Sequence, residues 1–280
     1  MDIPISETEQ ITISETEQID DVGFGGLRLI QDRNGFRYGI DAVLLAGYAA
    51  DLAPGSGSAA DLGCGNGVIP LILSHKCPGI RITGFEIQPQ AADLAKRSVR
   101  MNGLEDRIDI RTLDVVHLSE DRSLRQAFDL VVTNPPYVPR DGGLRSSNPR
   151  IRTARQETTA DLEDFIRAAS RILKDRGHFC MIHRPYRLVD LLGWCREYKL
   201  EPKDLQLVAP RRDAEPNLVL IHCIRGGGRE LRVRKQLEVY EENGLYTSSI
   251  MEIYERNVKK HVENISKLCD NERDFTGGGE

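Results

Sequence analysis

The stretch FDLVVTNPPYV, residues 128–138, decides how the rest of the chain is interpreted. An apolar run with β-branched residues ends there in an asparagine, two prolines and a tyrosine. Because proline has no backbone N–H to donate to a sheet, the strand must end at about Thr133, and Asn134-Pro135-Pro136-Tyr137 must form a stiff turn. In an open α/β sheet, ligands bind at the carboxyl ends of the strands. The turn supplies an amide and an aromatic ring, so it is either a rigid connection or part of a binding site.

Composition is that of an ordinary globular chain. The 280 residues are 40% hydrophobic and 29% charged, which fits one large domain or one domain with extensions. No apolar run approaches the ~18 residues of a membrane span, and the acidic start MDIPISETEQ does not look like a secretion signal. The six cysteines form no C-x-x-C pair and the six histidines make no metal-ligand spacing with them. We therefore expect a cytoplasmic protein with buried free thiols, no membrane segment and no metal; the sequence carries no signal for the oligomeric state.

Strands and helices alternate from Ala59 onward. The predicted strands after AADLGCG cover residues 81–87, 107–113, 128–134, 178–183, 205–210 and 217–224. The last two have no room between them for a crossover helix, so they must pair as an antiparallel hairpin at one edge. The pattern predicts an α/β fold: a seven-stranded, mostly parallel, doubly wound sheet with one antiparallel edge strand.

The flanking segments differ from this core. Residues 1–21 are acidic and nearly duplicate ISETEQ, and we expect a flexible segment. A domain over residues 22–225 would begin with a short strand at Leu27–Gln31, a hairpin turn at Asn34-Gly35, and a helix capped by Asp41. Residues 226–280 are predicted to be a C-terminal extension.

The first strand–helix turn reads DLGCGNG, residues 61–67. Glycine lets a backbone pass close beneath a ligand, and the following helix points N–H groups at it. The spacing G-x-G-x-G differs from the dinucleotide pattern G-x-G-x-x-G, which favours a nucleoside without a pyrophosphate and disfavours a nicotinamide dehydrogenase. Glu86, at the end of the next strand, can accept both hydroxyls of a ribose. Asp114, after the third, is either a turn cap or an acceptor for an adenine amino group.

A basic loop follows Tyr137. The net charge of −5, taken alone, argues against a nucleic-acid partner, but the distribution of charge matters more. Beside the stiff turn, the loop suits phosphate contacts and a mobile flap; a plain solvated loop is the alternative. Its five arginines are Arg140, Arg145, Arg150, Arg152 and Arg155. Further arginines that can widen this patch are Arg184, Arg187, Arg211 and Arg212.

With these strand ends in view, the chain resembles the class I S-adenosylmethionine-dependent methyltransferases that carry an NPPY motif and methylate planar nitrogen groups. Over residues 22–255 it is similar, more narrowly, to the tRNA1(Val) adenine-37 methyltransferase family. The segments that carry this resemblance are GFRYGIDAVLLA (35–46), DLGCGNGVIPLIL (61–73), GFEIQ (84–88), AKRSVRMNGLEDRI (95–108), NPPY (134–137), and HRPYRLVDLL with EPNLVLI (183–221). NPPY and DLGCGNG are shared widely among methyltransferases, so GFRYGIDAVLLA is the more specific signal.

The resemblance implies a Rossmann-like fold, S-adenosylmethionine as cofactor, and tRNA as the substrate whose adenine amine is methylated. The catalytic turn would be Asn134, Pro135, Pro136 and Tyr137: the Asn134 side chain and the Pro135 carbonyl accept the two amine hydrogens, while Tyr137 stacks on the base and, with the five loop arginines, binds the substrate. The cofactor-binding residues would be Phe36, Tyr38, Asp41, Asp61, Gly63, Cys64, Gly65, Asn66, Gly67, Glu86, Ile87, Gln88, Asp114, Val115 and Asn134. Of these, Phe36, Tyr38 and Asp41 would lie over the methionine end, or would simply pack an added hairpin and helix.

Two other functions stay open. The glutamine methyltransferases of release factors also use NPPY, but that family carries a sizeable helical domain ahead of its glycine motif, where this sequence has about 60 residues. The second is a non-catalytic, RNA-binding or assembly module that keeps the methyltransferase fold. The intact residues Gly63, Gly65, Glu86, Asn134 and Tyr137 argue against lost chemistry.

Overall fold

The computed structural model describes residues 11–35, 37–137 and 160–255. The strands, in chain order, are β1 (Glu17–Asp21), β2 (Arg28–Asp32), β3 (Gly57–Leu62), β4 (Ile80–Glu86), β5 (Ile108–Thr112), β6 (Phe128–Thr133), β7 (Leu173–His183), β8 (Leu200–Ala209), β9 (Leu218–Arg225), β10 (Arg232–Val233) and β11 (Leu237–Glu238). The helices are α1 (Ile40–Ala50), α2 (Val68–Lys76), α3 (Pro89–Met101), α4 (Val115–Leu118), α5 (Leu162–Ile172), α6 (Leu188–Glu197) and α7 (Ser248–Ile253), with short 3₁₀ turns at Arg122–Leu124 and Pro185–Arg187.

The central sheet has the strand order β10-β8-β9-β7-β6-β3-β4-β5, and β11 also pairs with β8. Strands β3 to β7 are parallel to their neighbours within this group. The predicted hairpin of β8 and β9 is confirmed. Its antiparallel strand, however, is β9, which lies inside the sheet between β7 and β8 rather than at the edge. The reason is visible in LVLIHCIR: six of its eight residues are buried, as expected of a strand covered on both faces.

The two faces of the sheet carry separate hydrophobic clusters. Because successive side chains of a strand point to opposite faces, β3 contributes Ala59 to one cluster and Ala60 and Leu62 to the other. The first cluster is covered by α1, α2 and α3, and the second by α5 and α6. The free cysteines Cys64, Cys77, Cys180, Cys195 and Cys223 are buried, as predicted, whereas Cys269 lies outside the described residues.

The hairpin ahead of the core is placed differently from the prediction. Part of the acidic segment, residues 17–21, forms β1 and pairs antiparallel with β2, so the hairpin turn lies between Asp21 and Arg28. The prediction of a hairpin turn at Asn34-Gly35 is wrong, because the partner strand precedes β2 instead of following it. β1 is anchored to α3 by Glu17 and Arg97, whose Oε1 and Nη2 are 2.6 Å apart. The hydrogen bond from Arg97 lowers the pKa of Glu17 to about 2.

The described part of the C-terminal extension continues the same body. Strands β10 and β11 both pair in parallel with β8. Helix α7 packs on α1, where a Cβ atom at Gly47 would lie 2.8 Å from Ile253 Cγ2. None of the helices that the structure describes is long and apolar enough to cross a membrane.

Candidate active site

Four strand ends with polar loops lie side by side. The strands β6, β3, β4 and β5 are neighbours in this order, and all run in the same direction. Chain connections leave β3 and β6 toward opposite parts of the sheet, which creates a crevice at their carboxyl ends. The predicted residues from the glycine turn to NPPY therefore meet at this edge.

The glycine turn after β3 has the backbone that only glycine adopts easily. Gly63, Gly65 and Gly67 have φ angles of +73°, +54° and +85°, a region that other residues enter at a cost. A Cβ at Gly67 would also come within 3.1 Å of Ala95 Cβ, whereas a Cβ at Gly65 would meet nothing within 4 Å. The space beside Gly65 is thus open to a ligand.

Glu86 ties the end of β4 to this turn. Its Oε2 accepts a hydrogen bond from Gly65 N at 2.8 Å and its Oε1 one from Gln88 N at 2.9 Å. The side chain is buried, and burial raises its pKa above the ordinary value despite these bonds. A carboxylate has about four acceptor positions, so Glu86 can still accept a hydrogen bond from a ribose hydroxyl. Ile87 and Gln88 form the turn into α3, with Gln88 as its N-cap.

Asp61 is a buried carboxylate near the end of β3. It has 0% exposure, and neither side-chain oxygen has a partner within the described part of the chain. Burial, together with the charge of Glu86, raises its pKa well above the usual range. An unpartnered buried acid is costly, and a cation placed beside it would remove that cost. S-adenosylmethionine carries an ammonium and a sulfonium group, so this residue fits that cofactor.

Gln31, which the sequence reasoning missed, connects the hairpin to the glycine turn. Its Oε1 accepts from Asn66 Nδ2 at 3.1 Å and from Tyr38 N at 3.4 Å, and its Nε2 donates to Asp20. The side chain is only 2% exposed. The available signal was a glutamine directly after Leu29 and Ile30 in the strand RLIQD, because an amide buried beside apolar residues needs partners. Tyr38 packs against the first hydrophobic cluster, and Phe36 lies outside the described residues.

In the loop after β5, Asp114 acts as a helix cap, one of the two roles predicted for it. Its Oδ1 accepts from Val116 N at 3.0 Å, and Asp114 is the N-cap of the short helix α4. Val115 is buried directly behind it. A contact of Asp114 with an adenine amino group stays a prediction.

The NPPY turn begins where the sequence predicts. β6 ends at Thr133, whose Oγ1 donates to Leu62 O at 2.8 Å and holds the two strand ends together. The hydroxyl of Tyr137 lies 2.6 Å from Asn134 Oδ1 and 2.9 Å from Asp41 Oδ2. Asp41 was predicted to cap α1, but the N-cap is Gly39 and Asp41 sits in the first turn. Burial, and then Asp41, raise the pKa of Tyr137, so the phenol stays protonated.

The HRPY segment, which begins with the last residue of β7, packs around Tyr137. The Arg184 guanidinium lies 4.9 Å from the centre of the Tyr137 ring, and the His183 ring meets it at 5.1 Å and 79°. Tyr186, which is 63% exposed, donates its hydroxyl proton to Tyr137 O at 2.8 Å. Burial lowers the pKa of His183 to about 4, so the imidazole is neutral at pH 7. The predicted substrate arginines Arg140, Arg145, Arg150, Arg152 and Arg155 lie outside the described residues.

Known proteins share both the sequence and this architecture. The family model described as "Methyltransferase small domain" matches residues 42–142. A tRNA1(Val) (adenine(37)-N6)-methyltransferase from Porphyromonas gingivalis is 34% identical over 187 residues, which cover 66% of this chain and 72% of the relative. A protein of the same name from Yersinia pseudotuberculosis is 25% identical over 231 residues, covering 79% of this chain and 85% of the relative.

Solved structures show the same fold. A predicted O-methyltransferase, Atu636 from Agrobacterium tumefaciens, has a TM-score of 0.63 and 25% identity, covering 77% of this chain and 95% of that protein. TYW2 from M. jannaschii, in complex with AdoMet, has a TM-score of 0.52 and 15% identity, covering 76% and 87%. The extent of the match to the Porphyromonas relative, together with the glycine turn and the NPPY turn at adjacent strand ends, shows that this chain belongs to the tRNA1(Val) (adenine(37)-N6)-methyltransferase family.

Proposed function

We propose that this chain transfers the methyl group of S-adenosylmethionine to the exocyclic amino nitrogen of an adenine in tRNA. The observation that carries the proposal is the NPPY turn, whose Asn134 and Tyr137 lie at the strand end next to the glycine turn. The relatives are named for adenine 37 of tRNA1(Val), and that position is therefore the first substrate to test.

The residues that would hold the cofactor are those of the first two strand ends. Bound S-adenosylmethionine supplies an electrophilic methyl group on its sulfonium. The buried Asp61 carboxylate would face a positive group of the cofactor, which explains why it has no partner within the described residues. Glu86 would accept from the ribose, and the open space beside Gly65 leaves room for the nucleoside.

The adenine amine that accepts the methyl group needs to be polarised more than it needs a strong base. The lone pair of an adenine amine is delocalised into the ring, so the nitrogen is a poor nucleophile. Asn134 Oδ1 and the Pro135 carbonyl would accept its two hydrogens, aim the lone pair at the methyl group and stabilise the positive charge that develops. Positioning of the two reactants supplies much of the remaining acceleration.

The adenine base would stack on the Tyr137 ring. Arg184 covers one of its faces, so stacking would use the opposite face, and such a stack contributes about 1–3 kcal/mol per base. To reach a recessed site, an internal adenine must leave its own stack. The arginines of residues 140–155, together with Arg184 and Arg187, would contact the phosphates around it.

Mass spectrometry of the nucleosides tests this proposal. Unmodified tRNA1(Val) is incubated with the protein and S-adenosylmethionine, digested and analysed, with a release factor as a parallel substrate. We expect N6-methyladenosine at position 37 and no methylated glutamine. Methylated glutamine without methylated adenosine would instead favour the protein-substrate alternative, and no product with either would favour a non-catalytic module.

A further inference from the structure

The hydroxyl of Tyr137 touches two acceptors but has one proton. Its oxygen lies 2.9 Å from Asp41 Oδ2 and 2.6 Å from Asn134 Oδ1. Asp41 is 96 residues away in the chain, on the first turn of α1, so this contact joins two separate parts of the sequence. The arrangement forces a choice, because the proton cannot satisfy both oxygens at once.

We propose that Asp41 is a positioning residue that acts through Tyr137: it accepts the Tyr137 proton and so leaves the Asn134 carbonyl for the amine of the substrate. The inference rests on the proposed function, in which Asn134 Oδ1 accepts an amine hydrogen. If Tyr137 donated to Asn134 instead, that carbonyl would already be engaged by a competing donor. A carboxylate is the stronger acceptor of the two, so the proton goes to Asp41.

The same choice sets the orientation of the Asn134 amide. With the proton on the Asp41 side, two oxygen lone pairs would face each other across the 2.6 Å contact between Tyr137 and Asn134. Turning the amide over removes this repulsion, because its oxygen and nitrogen have nearly the same shape. Asn134 Nδ2 then donates to the tyrosine oxygen, the tyrosine donates to Asp41, and Oδ1 points away from Tyr137. In this series of hydrogen bonds each donor has one acceptor, and the last acceptor is the Asp41 carboxylate.

The surroundings of Asp41 suit this role better than a contact with the cofactor. Its second oxygen, Oδ1, accepts from Ala42 N at 3.0 Å, so both oxygens already have partners on this chain. Behind it, residues 42–49 of α1 are all buried, which fixes the start of the helix and hence the carboxylate. Burial and Asp41 raise the pKa of Tyr137, so the phenol keeps the proton that it donates.

A double-mutant cycle tests this relay, by which we mean the series of hydrogen bonds from Asn134 through Tyr137 to Asp41. The variants are Asp41→Ala, Tyr137→Phe and their combination, with Asp41→Asn as the conservative control because its amide oxygen can still accept. We expect Asp41→Ala to lower kcat on tRNA by about tenfold and to leave the Kd for S-adenosylmethionine within about twofold. In the Tyr137→Phe background the competing proton is gone, so the same substitution should change kcat by less than about twofold. Asp41→Asn should retain most of the activity.

An equal loss of kcat in both backgrounds, or a rise in the Kd for the cofactor, would overturn the proposal and make Asp41 a cofactor ligand. A second readout does not depend on any substrate: the ¹H–¹⁵N resonance of the Asn134 side-chain amide, identified by its loss in Asn134→Asp. We expect it to shift in Asp41→Ala and in Tyr137→Phe. An unchanged resonance in Asp41→Ala would refute the relay even if the protein methylates nothing, and a shifted resonance without methyl transfer would refute the proposed function alone.

Discussion

At the residue scale, Asp61 is a buried side chain that we expect a bound cofactor to stabilise. It is fully buried without a hydrogen bond in the described structure, and its pKa is raised by burial and by Glu86. A cationic ligand favours the ionised form, so binding should release a proton. The affinity for S-adenosylmethionine should therefore rise with pH until the pH passes the raised pKa of the free protein.

Asp61→Asn should weaken cofactor binding by about 10- to 100-fold, because a charged partner is replaced by a neutral one. It should also flatten the pH dependence of the Kd, without lowering the thermal stability of the free protein, since no hydrogen bond is lost. Calorimetric titration at several pH values measures both effects. Asp109→Asn, on the exposed side of β5, is the matched control; equal losses in the two variants would rule out a direct role for Asp61.

The contacts between distant residues were the part of the site that the sequence did not predict. Residue types at strand ends predict Glu86, Asn134 and Tyr137 as candidate site residues, because the chemistry of each side chain is known without its neighbours. The Tyr137–Asp41 bond and the Gln31–Asn66 bond depend on how α1 and β2 dock on the core. No local pattern encodes that docking.

At the element scale, the antiparallel strand β9 brings a buried polar group into the sheet. Asp204 Oδ1 on β8 accepts from Arg232 Nε at 2.6 Å, and its Oδ2 lies 3.2 Å from Nδ1 of His222 on β9. Burial raises the pKa of Asp204, but the hydrogen bonds from Arg232 and His222 and the neighbouring Arg234 guanidinium outweigh this effect and lower that pKa to about 2. Asp204 thus links β8, β9 and the segment that carries β10.

Asp204→Ala should lower the free energy of unfolding by about 2–4 kcal/mol, because it leaves the buried His222 and the nearby arginines without their acceptor. A depressed carboxyl pKa contributes stability that is present above the unfolded pKa of about 3.9 and is lost as the pH falls toward 2. Urea unfolding at pH 7 measures the loss, with Asp213→Ala in the exposed loop before β9 as control. A loss of unfolding free energy no larger than that of the control would show that Asp204 does not hold these strands together.

Elements with strong local signals were predicted well, and those that depend on pairing were not. The stretch LEDFIRAASRIL predicts a helix over Asp161–Leu173, and α5 begins one residue later, at Leu162, because Asp161 and Asp164 form a capping box. The sequence also predicts a helix over Tyr186–Tyr198, but α6 starts at Leu188 after a 3₁₀ turn, since Pro185 constrains its entry. The hairpin turn was misplaced because an acidic sequence gave little sign that residues 17–21 pair with β2.

At the scale of the whole molecule, topology places the proposed substrate side and cofactor side at one edge of the sheet. Parallel strands joined by crossover helices end at the same edge, so the strand–helix alternation alone predicts that the glycine turn, Glu86 and NPPY converge. The sequence could not predict that β9 lies inside the sheet, because the pattern defines a hairpin but not which of its strands borders β7.

Arg150→Glu should weaken tRNA binding and reduce the salt dependence of the Kd, because a protein that neutralises one phosphate fewer releases fewer counterions when it binds. Arg229→Glu is the charge-matched control: it follows β9, whose antiparallel direction carries it to the opposite edge of the sheet. Binding isotherms at several salt concentrations separate the two. A change at Arg150 that is independent of salt, or one matched by Arg229, would contradict the phosphate contact.

We propose that Asn134 acts on the acceptor amine and not on the fold or the cofactor. The most direct measurement is the rate of N6-methyladenosine formation in tRNA by Asn134→Ala, paired with its Kd for S-adenosylmethionine. Loss of a group that stabilises developing charge should lower kcat by about 10²- to 10³-fold, while the cofactor binds nearly as in the wild type. A kcat close to wild type, or an equal loss of binding and transfer, would show that the turn is only structural.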